Sequence, residues 1–461
     1  MCEVLGFARS NKPLVEILLS AGAFVRVRDK KESIAESGDY KKFSELGASF
    51  VLGESYLEIL AGDYIFRSPA FRPDLPEISE ATNKGAILTS EMELFFELCP
   101  AKIIGITGSD GKTTTTTLTH LLLSEECKKN GRGRAYVGGN IGAPLLPLVF
   151  DMTEDDFAVV ELSSFQLFTM KRSPSVSAIT NISPNHLDWH GGMDEYIEAK
   201  CNICKHKPIS RLVTNADNEV TQKIAMRSEL PITYFSSKKK NYREIVPNTK
   251  KNCKAIYDDR GVIFIDDGES REKIIGVDDI LIPGRHNVEN YMTAIALTEG
   301  YVSKDTVRDI ATTFKGVEHR LELVREKDGV RYYNSSIDSS PSRTAAALGA
   351  LPKKPIVICG GYDKQIPFDT LAKSLCDRAK AVVLTGATAQ KIFAEIESCP
   401  DYNEETLPVR HIADFKEAVL YAADIARDGD IVLLSPACAS FDAFNDFAER
   451  GRCFKDIINA L

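Results

Sequence analysis

The chain has 461 residues, of which 43% are hydrophobic and 27% are charged, an ordinary composition for a globular protein. A formal net charge of −9 argues against a general nucleic-acid-binding protein, because such proteins present a basic face. No apolar run approaches the roughly 18 residues of a membrane-spanning helix, and from the residues after Met1 we expect no leader. Eleven scattered cysteines are typical of reduced thiols. We therefore expect a cytoplasmic protein that binds neither nucleic acid nor membranes.

Short apolar runs alternate with helical stretches along the chain, which predicts an α/β fold with mostly parallel sheets. The length predicts about three domains. We place a Rossmann-like domain at 1–92, a central P-loop-type ATPase domain at 93–316 and a second Rossmann-like domain at 317–461. The first strand, Glu3 to Leu5, is short, so we expect that the start of the chain is trimmed or wrongly assigned.

The first domain has the outline of a nucleotide-binding unit but lacks its usual glycines. Gly6 to Asn11 fail the G-x-G-x-x-G pattern, because Ala8 stands where a dinucleotide needs the second glycine. This disfavours an NAD-dependent dehydrogenase and leaves open a domain that only packs against its neighbours. A later strand, Tyr64 to Phe66, ends in the polar loop Ser68-Pro69-Ala70.

The strongest signal in the chain is the stretch from Lys102 to Lys129. Lys102 to Ile106 is a buried strand by composition, apolar residues recur at helical spacing from Leu118 on, and TGSDGKT lies between them. A glycine-rich turn from strand to helix directs backbone N–H groups and the helix dipole at one spot. Lys112 adds a positive charge, and the Thr113 hydroxyl is a suitable oxygen ligand for Mg²⁺. We predict an ATP-phosphate cradle here, formed by Gly108, Ser109, Asp110, Gly111, Lys112, Thr113 and Thr114.

Further polar residues follow other predicted strands of the central domain. Glu161 ends the strand Phe157 to Val160, where a carboxylate beside a phosphate loop typically holds Mg²⁺. A helix N-cap or a solvated acid remains an equal alternative for it. Cys201 and Cys204 form a single C-x-x-C pair, for which helix packing is preferred over zinc. Asn252 to Asp267 alternate as a hairpin does.

The third domain has four short apolar runs whose carboxyl ends carry polar residues, where ligands of parallel sheets bind. The last helix is predicted to carry Phe441, Phe444 and Phe447 at helical spacing, with at least two of the three in the core.

Nine motifs in chain order resemble those of the Mur ligase family of ATP-dependent ligases. They are TGSDGKT (Thr107 to Thr113), GGNIGAP (Gly138 to Pro144), ELSSFQL (Glu161 to Leu167), NISPNHLD (Asn181 to Asp188), EAK (Glu198 to Lys200), GRHNVEN (Gly284 to Asn290), EHR (Glu318 to Arg320), GGYDK (Gly360 to Lys364) and SPACASFDAFNDFAERG (Ser435 to Gly451). The last is similar to the signature of the branch that adds D-glutamate.

The resemblance implies three domains, one each for a UDP-sugar, for ATP and for an amino acid. It implies that ATP phosphorylates the carboxylate of UDP-N-acetylmuramoyl-L-alanine, and that the amine of D-glutamate displaces the phosphate in peptidoglycan precursor synthesis. The implied cofactors are ATP and two Mg²⁺ ions, with a carbamylated Lys200, because a bare ammonium cannot ligate a metal. We expect small-molecule substrates as the only partners, and a monomer.

The resemblance also assigns residues by their positions in these motifs. Lys112, His186 and Lys200 match catalytic residues; Thr113 and Glu161 match a first Mg²⁺ site, and His186 and Lys200 a second. Asn287, Asn290, His319 and Arg320 match the ATP site. Ser10, Asp29, Lys30, Ser68, Asn140 and His186 match the UDP-sugar site. Ser339, Lys364, Ser440, Phe441 and Phe447 match the D-glutamate pocket.

One departure concerns the ATP ribose. Where the family usually has N-D-S, this chain has Asn334-Ser335-Ser336, and we expect Asp338 to compensate for the missing acid. Three alternatives remain open: addition of diaminopimelate or lysine, addition of glutamate to folate, and a non-catalytic nucleotide-binding relative.

Overall fold

The computed structural model describes residues 1–187, 189–364 and 366–461, so Asp188, the last residue of the NISPNHLD motif, lies outside the described residues. The described chain forms two units: unit 1 comprises 1–277 and 289–310, and unit 2 comprises 278–288 and 311–461. Unit 1 contains two sheets and unit 2 a third. The predicted mixed α/β fold with mostly parallel sheets and three domains is confirmed, and one sheet falls in each predicted segment.

The first sheet has five parallel strands and is accompanied by four helices. These are β1 (Cys2–Leu5), α1 (Asn11–Ser20), β2 (Val25–Asp29), α2 (Gly38–Glu45), β3 (Ser49–Leu52), β4 (Tyr64–Arg67), α3 (Pro76–Asn83), β5 (Ile87–Thr89) and α4 (Glu91–Leu98). The strand order is β3-β2-β1-β4-β5. Because the neighbours of β1 lie on both sides of it, the loop after β1 opens at the switch point of the sheet, where ligands of such folds bind.

The second sheet has nine strands. In chain order the elements are β6 (Lys102–Thr107), α5 (Lys112–Asn130), β7 (Ala135–Gly139), β8 (Phe157–Glu161), α6 (Ser164–Leu167), β9 (Val176–Ile179), α7 (Met193–Cys201), β10 (Arg211–Asn215), α8 (Glu219–Arg227), β11 (Ile232–Ser236), α9 (Tyr242–Ile245), β12 (Cys253–Asp259), β13 (Val262–Asp266), β14 (Arg271–Gly276), α10 (Arg285–Thr298) and α11 (Lys304–Ala311). The order is β14-β13-β12-β11-β10-β9-β6-β8-β7, and only the last two pairings along the chain, β12 with β13 and β13 with β14, are antiparallel. The predicted hairpin at Asn252 to Asp267 is confirmed.

The third sheet has six strands in the order β15-β16-β20-β17-β18-β19. In chain order the elements are β15 (Glu322–Lys327), β16 (Val330–Asn334), α12 (Pro341–Ala350), β17 (Ile356–Cys359), α13 (Asp369–Arg378), β18 (Ala381–Leu384), α14 (Ala389–Glu397), β19 (Val409–His411), α15 (Phe415–Ile425), β20 (Ile431–Leu434) and α16 (Phe447–Ala460). Short 3-10 helices lie at Glu32–Glu36, Leu146–Asp151, Asn202–Cys204 and Val277–Asp279. No helix in the described ranges is both long and apolar enough to cross a membrane.

The prediction that Phe441, Phe444 and Phe447 lie on the last helix, with at least two of the three in the core, is wrong. The helix α16 starts only at Phe447, after Asp446, whose side chain accepts the backbone N–H of Glu449 as an N-cap. Phe441 and Phe447 are 64% and 39% exposed. The segment before α16 is a series of turns, so its aromatic spacing does not describe one buried face.

The threonine-rich start of α5 has a local explanation. The Thr117 hydroxyl donates to the carbonyl of Thr113, and the Thr119 hydroxyl donates to that of Thr115. These bonds to residue i−4 satisfy the two hydroxyls within the helix itself. The helix ends at Gly131, whose φ of +62° suits a glycine C-cap.

Candidate active site

The predicted phosphate loop lies at the carboxyl end of an inner strand of the second sheet, third from one edge. It follows β6, whose neighbours are β8 and β9, so three parallel strands bring their carboxyl ends to this point. Gly108 has φ +150°, and a Cβ there would lie 1.9 Å from Thr180 Oγ1. Gly111 has φ +78°, and a Cβ there would lie 2.5 Å from Asn290 Oδ1. Only glycine fits either position, which keeps the loop backbone open to a ligand.

The end of β9 holds the loop in shape. The backbone N–H groups of Ser109 and Asp110 donate to the carbonyl and side chain of Asn181, at 2.8 and 2.9 Å. Thr180 Oγ1 donates to the Asp110 carbonyl at 2.6 Å. Sequence reasoning missed Thr180 and Asn181, and the signal that could have found them was their position at the end of a neighbouring strand.

Two lysines meet on the carbonyl of Gly108. The Lys112 Nζ donates to it at 3.0 Å and to the Ser109 carbonyl at 2.9 Å. The Lys200 Nζ donates to the same Gly108 carbonyl at 2.9 Å, and is 3.3 Å from Thr107 Oγ1. Lys200 is only 2% exposed, and burial, followed by the charge of Lys112, holds its pKa well below the usual range. The structure therefore brings both predicted catalytic lysines to the phosphate loop.

Glu161 ends β8 beside the loop, and its two carboxylate oxygens differ in their hydrogen bonding. The Asn140 amide donates to Glu161 Oε1 at 2.8 Å, whereas Oε2 is buried without a hydrogen-bond partner in the described part of the chain. A buried carboxylate oxygen without a partner is costly unless a cation or donor joins it. Carboxylate oxygens suit a hard divalent ion such as Mg²⁺. Thr113, the other residue predicted for this ion, is partly exposed in the first turn of α5.

His186 lies in the loop after β9 with a left-handed backbone, φ +55°. Its ring packs on Phe165 with centroids 4.9 Å apart, and Phe165 stacks in turn on His190 at 5.6 Å. Among the described residues no group of three or more His, Cys, Asp or Glu forms a ready-made metal cluster. The Cys201 and Cys204 pair lies on one helical turn, where the Cys204 thiol approaches the Cys201 carbonyl.

A cavity of unit 1, of about 260 Å³, opens beside the loop after β1. Its walls include Ser10 and Asn140, two predicted UDP-sugar residues that come from different sheets. The predicted residue Asp29 accepts backbone N–H groups from Phe7 and Lys31, so it shapes the turn after β1. The cavity is also lined by residues that the sequence did not single out, including Arg67, Glu91 and Gln166.

Two further residues predicted for the UDP-sugar lie on neighbouring loops of the first sheet, whereas the last, His186, follows β9 of the second sheet. Ser68 follows β4, is 8% exposed, and donates its backbone N–H to Leu5. Lys30 follows β2 and forms a surface ion pair with Glu54 at 3.3 Å.

Unit 2 places the predicted D-glutamate residues after three adjacent strands. Ser339 follows β16, Ser440 and Phe441 follow β20, and Lys364 follows β17, with β20 between the other two strands. Lys364 and Phe441 are exposed, as a ligand contact requires. The Phe447 ring meets the His319 ring edge-on at 6.0 Å, which connects this group to a residue predicted for ATP.

The remaining residues predicted for ATP are buried or form hydrogen bonds with nearby groups. Asn290 Oδ1 accepts the Thr115 hydroxyl at 3.2 Å, and the Asn287 amide donates to Pro283. His319 is 5% exposed, and burial lowers its pKa. Arg320 follows it and is partly buried.

Asp338, the expected substitute for the missing acid, is 7% exposed. Its Oδ2 accepts the Ser435 hydroxyl at 2.8 Å. Burial raises the pKa of Asp338, and hydrogen bonds from Ser335 and Ser435 oppose that rise. Ser335 Oγ accepts the Leu321 N–H at 3.1 Å, so the serine that replaces the usual acid has a structural role here.

In a comparison with known proteins, this chain matches two domain families and is similar to named proteins over nearly its whole length. The Mur ligase middle domain matches residues 106–298, and the Mur ligase, glutamate ligase domain matches 319–438. Proteins of Acetivibrio thermocellus and Ruminiclostridium cellulolyticum, both named UDP-N-acetylmuramoylalanine--D-glutamate ligase, are 44% and 45% identical over 99% of this chain and 96% of their own. The crystal structure of UDP-N-acetylmuramate-alanine ligase MurC from Thermotoga maritima aligns over 100% of this chain and 99% of that chain with a TM-score of 0.56. Its sequence identity is 18%, so it supports the fold alone.

Proposed function

The chain belongs to the Mur ligase family, and from this premise we propose that it uses ATP to join D-glutamate to UDP-N-acetylmuramoyl-L-alanine. The reaction belongs to peptidoglycan precursor synthesis. The observation that carries the assignment is the convergence of Lys112 and Lys200 on one carbonyl of a glycine-dependent phosphate loop. A domain that only packs has no need of two lysine amines there.

The chemistry proceeds in two displacements. A carboxylate oxygen of the UDP-sugar attacks the γ-phosphorus of ATP, the bond to the bridging oxygen breaks, and ADP leaves. The neutral amine of D-glutamate then attacks the acyl carbon, phosphate leaves with the electron pair of its bond, and the nitrogen loses a proton. The products are an amide, ADP and phosphate.

This chain's residues act mainly by position and charge. Lys112 and the backbone N–H groups of the loop hold the β- and γ-phosphates and stabilise the charge that moves during transfer. When bound, Mg²⁺ neutralises charge on the phosphate oxygens. Thr113 and Glu161 would hold one ion, and His186 with a modified Lys200 would hold a second.

We propose that Lys200 carries a carbamate in the active protein. Because burial and Lys112 lower the pKa of Lys200, its amine is available in the neutral form. The nitrogen lone pair attacks the carbon of CO₂ and the nitrogen releases one proton, which leaves a carbamate with two anionic oxygens. Those oxygens turn a residue that repels a cation into one that binds it.

In unit 2, Lys364 offers one cation for a carboxylate, and the Ser339 and Ser440 hydroxyls offer neutral donors for a second one. A dicarboxylate suits this set better than a dibasic amino acid, whose ammonium would face Lys364 at a like-charge cost. The D-configuration is taken from the named relatives and not from the side chains.

The test is a panel of D-Glu, L-Glu, D-Asp, L-Lys and meso-diaminopimelate, each supplied with ATP, Mg²⁺ and UDP-N-acetylmuramoyl-L-alanine. We expect phosphate release and a product mass increase with D-Glu. A preference for L-Lys or diaminopimelate would assign the chain to another member of the family. No phosphate release with any acceptor would favour a non-catalytic nucleotide-binding protein.

We further propose that the protein acts in the cytoplasm as a monomer. The proposed substrates ATP and UDP-N-acetylmuramoyl-L-alanine are cytoplasmic metabolites, and every predicted site residue comes from one chain. Light scattering coupled to size exclusion would test the oligomeric state, and cell fractionation would test the location.

A further inference from the structure

Arg67, the last residue of β4, is a buried cation without a carboxylate partner. It is 1% exposed, and no ion pair within 4.0 Å joins it to an acid in the described ranges. Burial lowers its pKa to about 10, and the charge of Glu93 only partly opposes that effect. A buried charge without a counter-ion is costly, so its retention points to a partner outside the chain.

The hydrogen bonds of Arg67 use all but one of its N–H donors. Its Nε and Nη2 both donate to Thr169 Oγ1, at 3.2 and 3.0 Å. Nη2 also donates to the Phe165 carbonyl at 2.7 Å, and Nη1 donates to the Phe71 carbonyl at 3.0 Å. A guanidinium has five N–H groups, and these contacts use four of them. The fifth N–H is on Nη1.

Arg67 also lines the 260 Å³ cavity that contains Ser10 and Asn140. The cavity therefore joins a buried positive charge, a spare N–H donor and two residues predicted for the UDP-sugar. Two acids lie near this wall, Glu91 in the lining and Glu93 behind it, and burial raises the pKa of each to about 7. Neither carboxylate lies within ion-pair distance of Arg67 in the described residues: Glu93 is linked to it only through Thr169, whose hydroxyl donates to Glu93 Oε2 at 3.4 Å.

We propose that Arg67 is a substrate-binding residue whose guanidinium takes an oxyanion of the UDP-sugar, a phosphate or carboxylate oxygen, as its counter-ion. The proposal rests on the proposed function for the identity of the ligand. Two of the four hydrogen bonds of Arg67 go to Thr169, and one each goes to Phe71 and Phe165. They fix the orientation of the guanidinium before the ligand binds. Such preorganisation reduces the entropy lost on binding.

The alternative is that Arg67 only connects the two sheets of unit 1. A matched control separates the two roles. Arg28, at the end of β2 in the same sheet, is 2% exposed and donates to the carbonyls of Tyr56, Glu58 and Ile59. Unlike Arg67, it has its own carboxylate, Glu3, at 2.7 Å, and it is not in the cavity lining.

The experiment measures dissociation constants of wild type, Arg67→Met, Arg67→Gln, Arg67→Lys and Arg28→Met for three probes. UDP-N-acetylmuramoyl-L-alanine and UDP are measured by calorimetry, and uridine, which has no anionic group, by NMR. Thermal unfolding of each variant is recorded in parallel, and the glutamine variant stands in for the methionine variant if the latter does not fold.

We expect Arg67→Met and Arg67→Gln to weaken binding of the UDP-sugar at least tenfold, Arg67→Lys to weaken it less, and uridine binding to stay within twofold. A matching loss for UDP identifies a phosphate oxygen, and a loss for the UDP-sugar alone identifies its carboxylate. Arg28→Met should lower the unfolding temperature and leave all three constants within twofold.

The proposal is wrong if the Arg67 variants bind the UDP-sugar as wild type does, or if uridine binding falls by the same factor as UDP binding. Failure of the proposed function is a separate result. In that case wild type makes no product with D-glutamate, whereas UDP and uridine still report on Arg67.

Discussion

At the scale of single residues, the most informative contact is the shared carbonyl of Gly108. Lys112 and Lys200 both donate to it, at 3.0 and 2.9 Å, so two amines that would each be charged in water meet at one acceptor. Burial, followed by the charge of Lys112, lowers the pKa of Lys200, which favours the neutral form of this amine. A neutral amine beside a phosphate site is what carbamylation requires.

Lys112→Ala should abolish turnover while leaving UDP-sugar binding intact. Removing a fixed charge from a phosphoryl-transfer site commonly costs about a hundredfold or more in rate. Steady-state phosphate release measures the loss, and Lys102→Ala, at the opposite end of β6, serves as the control. Turnover of Lys112→Ala near that of wild type would contradict the assignment of the phosphate loop.

Lys200→Ala should be inactive and should regain part of its activity in added formate or acetate, whose carboxylate oxygens replace those of a carbamate. Lys205→Ala, an exposed lysine after α7, should be active without any additive. Phosphate release with and without the carboxylate measures the rescue. An unmodified Lys200 beside bound Mg²⁺ and nucleotide in a high-resolution structure would count against the carbamate.

Asp338→Ala should raise the KM for ATP, and Ser335→Asp should lower it or leave it unchanged. The carboxylate of Asp338 is buried on Ser435, so it acts on the ribose only if the ribose reaches the loop after β16. Initial rates at varied ATP concentration measure the KM for ATP of each variant. An Asp338→Ala variant that loses stability but keeps its ATP constant would give Asp338 a structural role only.

At the scale of elements, the sequence predicted β6, the glycine-rich loop and α5, because composition and periodicity are local properties. It did not predict that Thr180 and Asn181 hold the loop, since contacts between neighbouring strands depend on strand order. The order β9-β6-β8 cannot be deduced from the apolar pattern of any one strand. The error at Phe441 to Phe447 has a related cause: a helical spacing of aromatics also occurs in consecutive turns.

Gly108→Ala tests the geometry of the loop. The added Cβ would lie 1.9 Å from Thr180 Oγ1 and 3.1 Å from the Asn181 carbonyl, so the loop must shift. We expect loss of ATP binding, measured by calorimetry. Gly131→Ala, at the other end of α5, has φ +62° but nothing within 4 Å of the added atom, so it should cost only about 1 kcal/mol of stability and no affinity. Unchanged ATP affinity in Gly108→Ala would show that the loop tolerates displacement.

At the scale of the whole molecule, three mostly parallel sheets and their ligand-binding edges were predictable from alternating apolar runs. The residues that line the 260 Å³ cavity of unit 1 could not be predicted in this way. Arg67 ends the otherwise apolar strand that begins at Tyr64, and its charge at that position was its only signal. A charge at a strand end is common on surfaces, and only the packing of two sheets around it reveals that this one is buried.

The stability of unit 1 should fall as pH rises from about 5 to 8. Burial raises the pKa of Glu91 and Glu93 in α4 from the ordinary 4.5 to about 7, so the folded protein holds protons there that the unfolded chain has released. The stability that these two groups contribute is complete below the unfolded pKa and is lost as the pH passes the folded pKa, up to about 3 kcal/mol for each group.

The measurement uses the single tryptophan, Trp189, which lies in unit 1 and reports the urea unfolding of this unit by fluorescence. Glu91→Gln should flatten the pH dependence, whereas Glu97→Gln, exposed on the same helix, should not. A wild-type unfolding free energy that is constant across this range would show that both carboxyls are charged in the folded state and have partners that compensate their burial.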